Sequence, residues 1–154
     1  MDTSGLREAY QSFLAVASSE RFGPPPPPEW TAAQLLAHII AGDTAIAAVA
    51  LEVAAGTRPA YDNRPSLDRW NLARICAAAG DLPALIDLVD RRGQLLCRVA
   101  EQLTDAEADV MIPTLIISND EVVLDSGLPL RSLIDGLGHV HLPRHAEQLA
   151  ALAS

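Results

Sequence analysis

WTAAQLLAHIIAGD, residues 30 to 43, carries a full set of helix-start signals. Thr31 can cap the first turn, Gln34 stands three residues later to complete a capping box, and Trp30 and Leu35 occupy the two positions of a hydrophobic staple. A helix is therefore predicted from Thr31. Leu35, Ile39, Gly42, Ile46, Val49 and Val53 continue it as one apolar stripe, and Gly56 is a suitable left-handed terminator. This strongly announced helix contains a histidine, His38, one turn after Leu35 and one turn before Gly42, which places the imidazole beside the face that must be buried.

Similar stripes recur on both sides. Leu6, Tyr10, Phe13, Leu14 and Ala17 recur at three- and four-residue steps in a first helix over about residues 4–19. GPPPPPE, residues 23–29, breaks that helix, and its five prolines are expected to act as a stiff extended spacer of roughly 15 Å. TRPAYDNRP, residues 57–65, is expected to be loop from its Pro, Asn and Asp content. Ser66 is predicted to cap a shorter helix carrying Leu67, Trp70, Ala73 and Ala77 and ending at Gly80. Asp81 is predicted to cap a long one with Leu82, Leu85, Ile86, Val89, Gly93, Leu96, Ala100 and Leu103 inward. Gly93 within that stripe predicts close approach of another helix. TLIISNDEVVLDS, residues 114–126, changes character: β-branched residues flank Asn119 and Asp120, the chemistry of a tight hairpin. Pro129 then suits the first turn of a last helix running to about Leu152. The expected fold is all-α, a single domain over residues 1–154, with four long helices packed as a bundle, one shorter extra helix and a small β-hairpin before the last helix.

Composition narrows the function. The chain has 154 residues, 11 basic and 20 acidic, for a net charge of −9, and a pI near 4.7. Such a surface repels phosphate backbones and anionic membranes, so nucleic acid and membrane partners are not expected. All the basic residues are arginines, which excludes Schiff-base lysine chemistry and a P-loop lysine. The first residues lack a basic segment followed by an apolar one, and no apolar run approaches the ~18 residues needed to span a bilayer. Cys76 and Cys97 lie in helical patterns without CxxC spacing and read as packing residues of a reducing compartment. A soluble cytoplasmic protein is expected.

HVHLPRHAEQL, residues 139–149, holds the other three histidines. The last helix has Leu130, Leu133, Ile134, Leu137, Leu149 and Leu152 on its apolar stripe, and His141 and His145 fall on that same stripe one turn apart. His139 points about 200° away from His141 and is expected at the surface or bonded to a carbonyl. An i, i+4 histidine pair can hold one metal ion, but no glutamate follows the first histidine, so the zincin general base is absent. By chance, roughly one chain in thirteen with this length and histidine content has such a pair. The pair alone is thus weak evidence, and His38 supplies the support. Three buried neutral imidazoles without partners cost about 1–3 kcal/mol each, and one divalent cation would satisfy all three. Neutral nitrogens without a carboxylate suit Zn²⁺ first, and also Ni²⁺, Co²⁺ or Fe²⁺; three protein ligands leave a coordination position open, as in catalytic or ligand-binding sites. Pro143, between the two histidines, cannot donate to the His139 carbonyl and predicts a local kink or widening of the helix.

WTAAQLLAHIIAGD and HVHLPRHAEQLAAL, together with RWNLARI and LIISNDEVVLDSGLPL between them, resemble the DinB-like superfamily of metal-binding four-helix bundles, which includes the N-terminal domain of mycothiol-dependent maleylpyruvate isomerase. The resemblance extends over nearly the whole chain. It implies an up-down-down-up bundle, often a homodimer, with His38, His141 and His145 as the metal ligands. It also implies use of the metal to activate a low-molecular-weight, mycothiol-like thiol for transfer to an electrophilic small molecule or for isomerisation, with Trp70 and Asn71 lining the substrate pocket, although Trp70 also fits the core stripe and packing is the preferred reading for it. No catalytic side chain beyond the ligands is assigned. The other expectations compatible with the residues are a non-catalytic metal- or ligand-binding bundle acting as sensor or sink, and a metal-free structural dimer with satisfied histidines.

Overall fold

A computed structural model describes residues 1–19 and 21–153. In chain order the elements are α1 (Ser4–Ser19), α2 (Ala32–Ala54), β1 (Tyr61–Asp62), α3 (Arg64–Leu67), α4 (Arg69–Ala79), α5 (Leu82–Gln102), α6 (Asp105–Ala108), β2 (Met111–Ser118), β3 (Glu121–Pro129), α7 (Leu130–Gly136), a π-helical turn (Leu137–His141) and α8 (Leu142–Ala151). The protein is mostly helical with a small three-stranded sheet. α1 packs on α5 and α8, and α2 packs on α5 and α4.

α2 starts as its sequence requires. The Gln34 N–H donates to Thr31 Oγ1 at 3.2 Å and the Thr31 N–H donates to Gln34 Oε1 at 2.9 Å, closing the capping box. Its burial exceeds a single stripe: Leu36, Ala37, Ile40, Ala47 and Ala50 are buried alongside Leu35, Ile39, Ile46, Val49 and Val53. By length and composition α2 could cross a membrane, contrary to the expectation that no apolar run approaches that size, yet 67% of its most apolar window is buried within the fold. A central core helix satisfies the same criterion.

On α5, Leu85, Val89, Gly93, Leu96, Cys97 and Ala100 are buried and Asp81 caps the first turn through the Ala84 N–H. The approach expected at Gly93 is the Tyr10 ring of α1, whose carbons lie 2.8 Å from where a Cβ would stand. Tyr10 is itself only 5% exposed, so the ring has little room to retreat. Gly93→Ala is expected to cost about 1–3 kcal/mol by overpacking, read as a lowered midpoint in urea unfolding.

Asp68, not Ser66, caps the shorter helix, accepting from the Asn71 N–H at 2.9 Å; Ser66 sits buried in α3. On α4 only Leu72 is buried, and Trp70, placed on the core stripe by periodicity, is 65% exposed with the Arg74 guanidinium 4.4 Å from its ring centroid. The segment read as loop contains β1, which pairs in parallel with β2 (Tyr61↔Thr114, Asp62↔Leu115). The Asn63 side chain extends that pairing, accepting from the Ile117 N–H and donating to the Ile117 carbonyl at 2.8 and 2.9 Å. β2 and β3 pair antiparallel through Ser118↔Glu121, and both connecting residues, Asn119 and Asp120, have positive φ, as a two-residue type I′ connection requires. The strands run several residues past the segment expected. With a three-stranded sheet present, the fold is mostly helical and not purely α.

The last helix is not continuous either. The Leu142 N–H bonds to the Leu137 carbonyl, five residues back, so the helix widens by one residue immediately before Pro143. That is the expected distortion, and it has the expected cause: the proline cannot donate to the His139 carbonyl, and the ladder re-forms with longer reach.

Among the buried groups of α2 one is costly. Asp43 is 1% exposed, neither carboxylate oxygen has a hydrogen-bond partner, and neither does Tyr10 Oη. Burial pushes the Asp43 carboxyl up to about 7 and the nearby Tyr61 phenol up to about 12.

Candidate metal centre

His38 is carried by α2, His141 ends the π-helical turn and His145 lies one turn into α8. The helix cap fixes the register of α2, and the widened turn sets the direction of His141 relative to His145. The three rings converge: their centroids are 5.0 Å (His38–His141), 4.8 Å (His38–His145) and 4.5 Å (His141–His145) apart. One nitrogen from each lies within 4.8 Å of the others. His38 and His145 are buried, and the Trp30 ring stands 5.0 Å from that of His38.

Outer hydrogen bonds orient two of the rings. His38 Nδ1–H donates to the Ser66 carbonyl at 2.8 Å, and His145 Nδ1–H donates to Gln148 Oε1 at 2.6 Å. With Nδ1 protonated in a neutral imidazole, each Nε2 keeps a bare lone pair. His38 Nε2 is 2.9 Å from His141 Nε2, while His141 Nδ1 is buried without a partner. If His141 Nε2 carries the proton, a buried acceptor is orphaned at Nδ1; if it does not, two lone pairs face each other at 2.9 Å and a buried N–H is orphaned. A cation among the Nε2 atoms removes the repulsion, so the donor set fits a borderline divalent metal.

Electrostatics keep the rings in the ligand form. Burial lowers the His38 pKa, against the Ser66 bond that raises it. Burial, then the neighbouring His145 and His38 charges, hold His141 well below the usual imidazole range, and burial brings His145 to about 4. In all three rings burial disfavours the charged imidazolium. His139, by contrast, is exposed and donates from Nδ1 to the Asp135 carbonyl at 2.9 Å, as its place on the opposite face predicts.

The cluster opens into a cavity of about 1210 Å³ whose lining includes Trp30, Asn63, Ser132, Val140, Arg144 and Gln148. Neither Trp70 nor Asn71 lines it; the Asn71 amide instead donates to the Pro65 carbonyl at 3.2 Å. Both cysteine thiols are raised by burial, so neither is an activated nucleophile. Two functional groups escape a reading of the sequence. Gln148 carries a usable signal, three residues after His145 on the same helix, whereas Ser66 acts through its backbone carbonyl and leaves none.

Gln148→Ala removes the group that fixes the His145 tautomer and is expected to weaken Zn²⁺ binding about 10- to 100-fold, measured by competition with a chromophoric chelator.

A family model described as the DinB superfamily matches residues 4–149. No curated protein and no solved structure matches the chain.

Proposed function

The chain belongs to the DinB superfamily, and from that premise we propose that it is a metal-dependent transferase that joins a low-molecular-weight, mycothiol-like thiol to an electrophilic small molecule. The observation that carries this is the convergence of three imidazoles, His38, His141 and His145, on the wall of a large cavity. A cation held there, zinc foremost, supplies Lewis acidity that favours the thiolate form of a small thiol near neutral pH. The protein's own share is positional. Ser66 and Gln148 hold two imidazoles with their lone pairs inward. Trp30 packs against the His38 ring and lines the same cavity. The cavity walls bring sulfur and electrophile together. In the overall transfer a carbon–sulfur bond forms, the leaving group departs with its electron pair, and the thiol proton passes to solvent.

The cavity volume supports this substrate class, since about 1210 Å³ exceeds the roughly 300–1,000 Å³ typical of small-molecule sites and accommodates a thiol and its acceptor together. We further propose the up-down-down-up bundle arrangement, a homodimeric assembly, and a cytoplasmic setting in which thiols remain reduced.

The experiment is a conjugation assay on untagged protein loaded with one equivalent of Zn²⁺, using a panel of small thiols and a bimane electrophile. Turnover lost together with metal in the His38→Ala variant is the expected result. Stoichiometric metal with no turnover toward any thiol points instead to a sensor or sink, and an absence of metal after gentle preparation points to a structural dimer.

A further inference from the structure

Arg144 stands between His141 and His145 on α8, exposed and on the wall of the same cavity. Most other arginines of the chain are occupied. Arg7, Arg64, Arg91 and Arg131 pair with carboxylates, Arg74 stacks on Trp70, and Arg69, the other basic residue of the lining, donates to the Pro28 carbonyl at 3.0 Å. Among the described residues Arg144 makes no such pair, and the acidic residues of the lining, Glu29 and Asp120, do not pair with it. In a chain of net charge −9, an unpaired guanidinium beside a buried cluster of imidazoles is a local exception. The Arg144 guanidinium supplies a planar donor fork on the cavity wall.

We propose that Arg144 is a specificity-determining residue which binds the carboxylate of the small-molecule substrate through its guanidinium, so that the site selects carboxylate-bearing ligands over their neutral twins. This rests on the reading of the cavity as a substrate site and adds the chemical class of what enters. Arg144 orients the ligand by one end while the reacting end lies at the imidazoles, one helical turn or less away along α8.

The test uses the full chain with Trp70→Phe, which leaves Trp30, on the cavity wall, as the only tryptophan. The Zn²⁺-loaded protein is titrated with two matched pairs, N-acetylcysteine against its amide and N-acetylalanine against its amide, with Trp30 fluorescence as the readout. The carboxylate member of each pair is expected to bind about tenfold more tightly, as one charge-assisted bidentate contact provides. Arg144→Gln is expected to erase that preference without changing the affinity for the amides, and Arg144→Lys to retain part of it. Equal binding of acid and amide by the parent protein overturns the proposal. So does a preference that survives in Arg144→Gln, which would assign the carboxylate to the zinc. If N-acetylcysteine binds no more tightly than N-acetylalanine, the thiol reading fails, while the acid-over-amide comparison still decides the role of Arg144.

Discussion

His145→Ala is expected to bind less than about 0.2 equivalents of Zn²⁺ after gentle preparation, where the parent protein binds about one. Removing one of three neutral nitrogens leaves two, and the free energy of structural zinc sites, shared over their ligands, makes each worth roughly 10²-fold or more in affinity. The loss is specific. His145 is on α8 and its ring meets His38 of α2 at 4.8 Å, but the core residues that hold those helices together, such as Leu142, Leu149, Leu36 and Ile39, are untouched. The variant should therefore keep its helical circular dichroism without metal. Zinc added to the parent protein should raise the melting midpoint, because a ligand of the folded state stabilises it in proportion to the logarithm of its concentration over Kd. In the variant the same addition should leave the midpoint unchanged. A variant that retains one equivalent at parental affinity would remove His145 from the ligand set.

A second large effect is expected at Asp43, well away from metal chemistry in kind. Its carboxyl titrates near 7 when folded and near 3.8 when unfolded. Below the unfolded value both states are protonated and the residue contributes no penalty. Between the two values the unfolded chain releases its proton while the folded one keeps it, so stability falls as pH rises, and it stops falling once the folded group also ionises. About three pH units at 1.36 kcal/mol each give a contribution of order 4 kcal/mol lost between about pH 4 and 7. The buried histidines act in the opposite sense, because their lowered pKa values make them lose stability as pH falls. The comparison must therefore be a difference: urea unfolding of the parent and of Asp43→Asn at several pH values on metal-free protein. The stability of the parent minus that of the variant should decrease by several kcal/mol from pH 4 to pH 8. A difference that stays flat would show that Asp43 does not hold its proton in the folded protein.

What the sequence made legible follows from how each feature is encoded. The capping box at Thr31 and Gln34 and the stripe of α5 are local and periodic, and both are present as read. Gly93 marked a close approach because nothing larger fits against Tyr10, and Pro143 marked the widened turn because a missing N–H must be compensated somewhere. The meeting of His38 with His141 and His145 was legible because all three sit on faces that have to be buried in one core. The failures have an equally physical origin. β1 is two residues long and has no period to detect, and its partner strand is supplied from more than fifty residues away. Trp70 has helical spacing and a large apolar ring, yet α4 buries only Leu72, and the ring stays mostly exposed with the Arg74 guanidinium against it. Ser66 looked like a cap because a serine precedes an apolar run, but Asp68 two residues later caps the helix and leaves the Ser66 carbonyl free to receive His38. A backbone carbonyl that orients a ligand has no side-chain signature at all.

The most direct test of the central claim is anomalous diffraction above the zinc edge from crystals grown with one equivalent of Zn²⁺. One peak is predicted, about 2.1 Å from a ring nitrogen of each of His38, His141 and His145, with the Ser66 and Gln148 hydrogen bonds intact on the far side of their rings. A fully ordered cluster with no peak, or zinc held elsewhere on the chain, would contradict it.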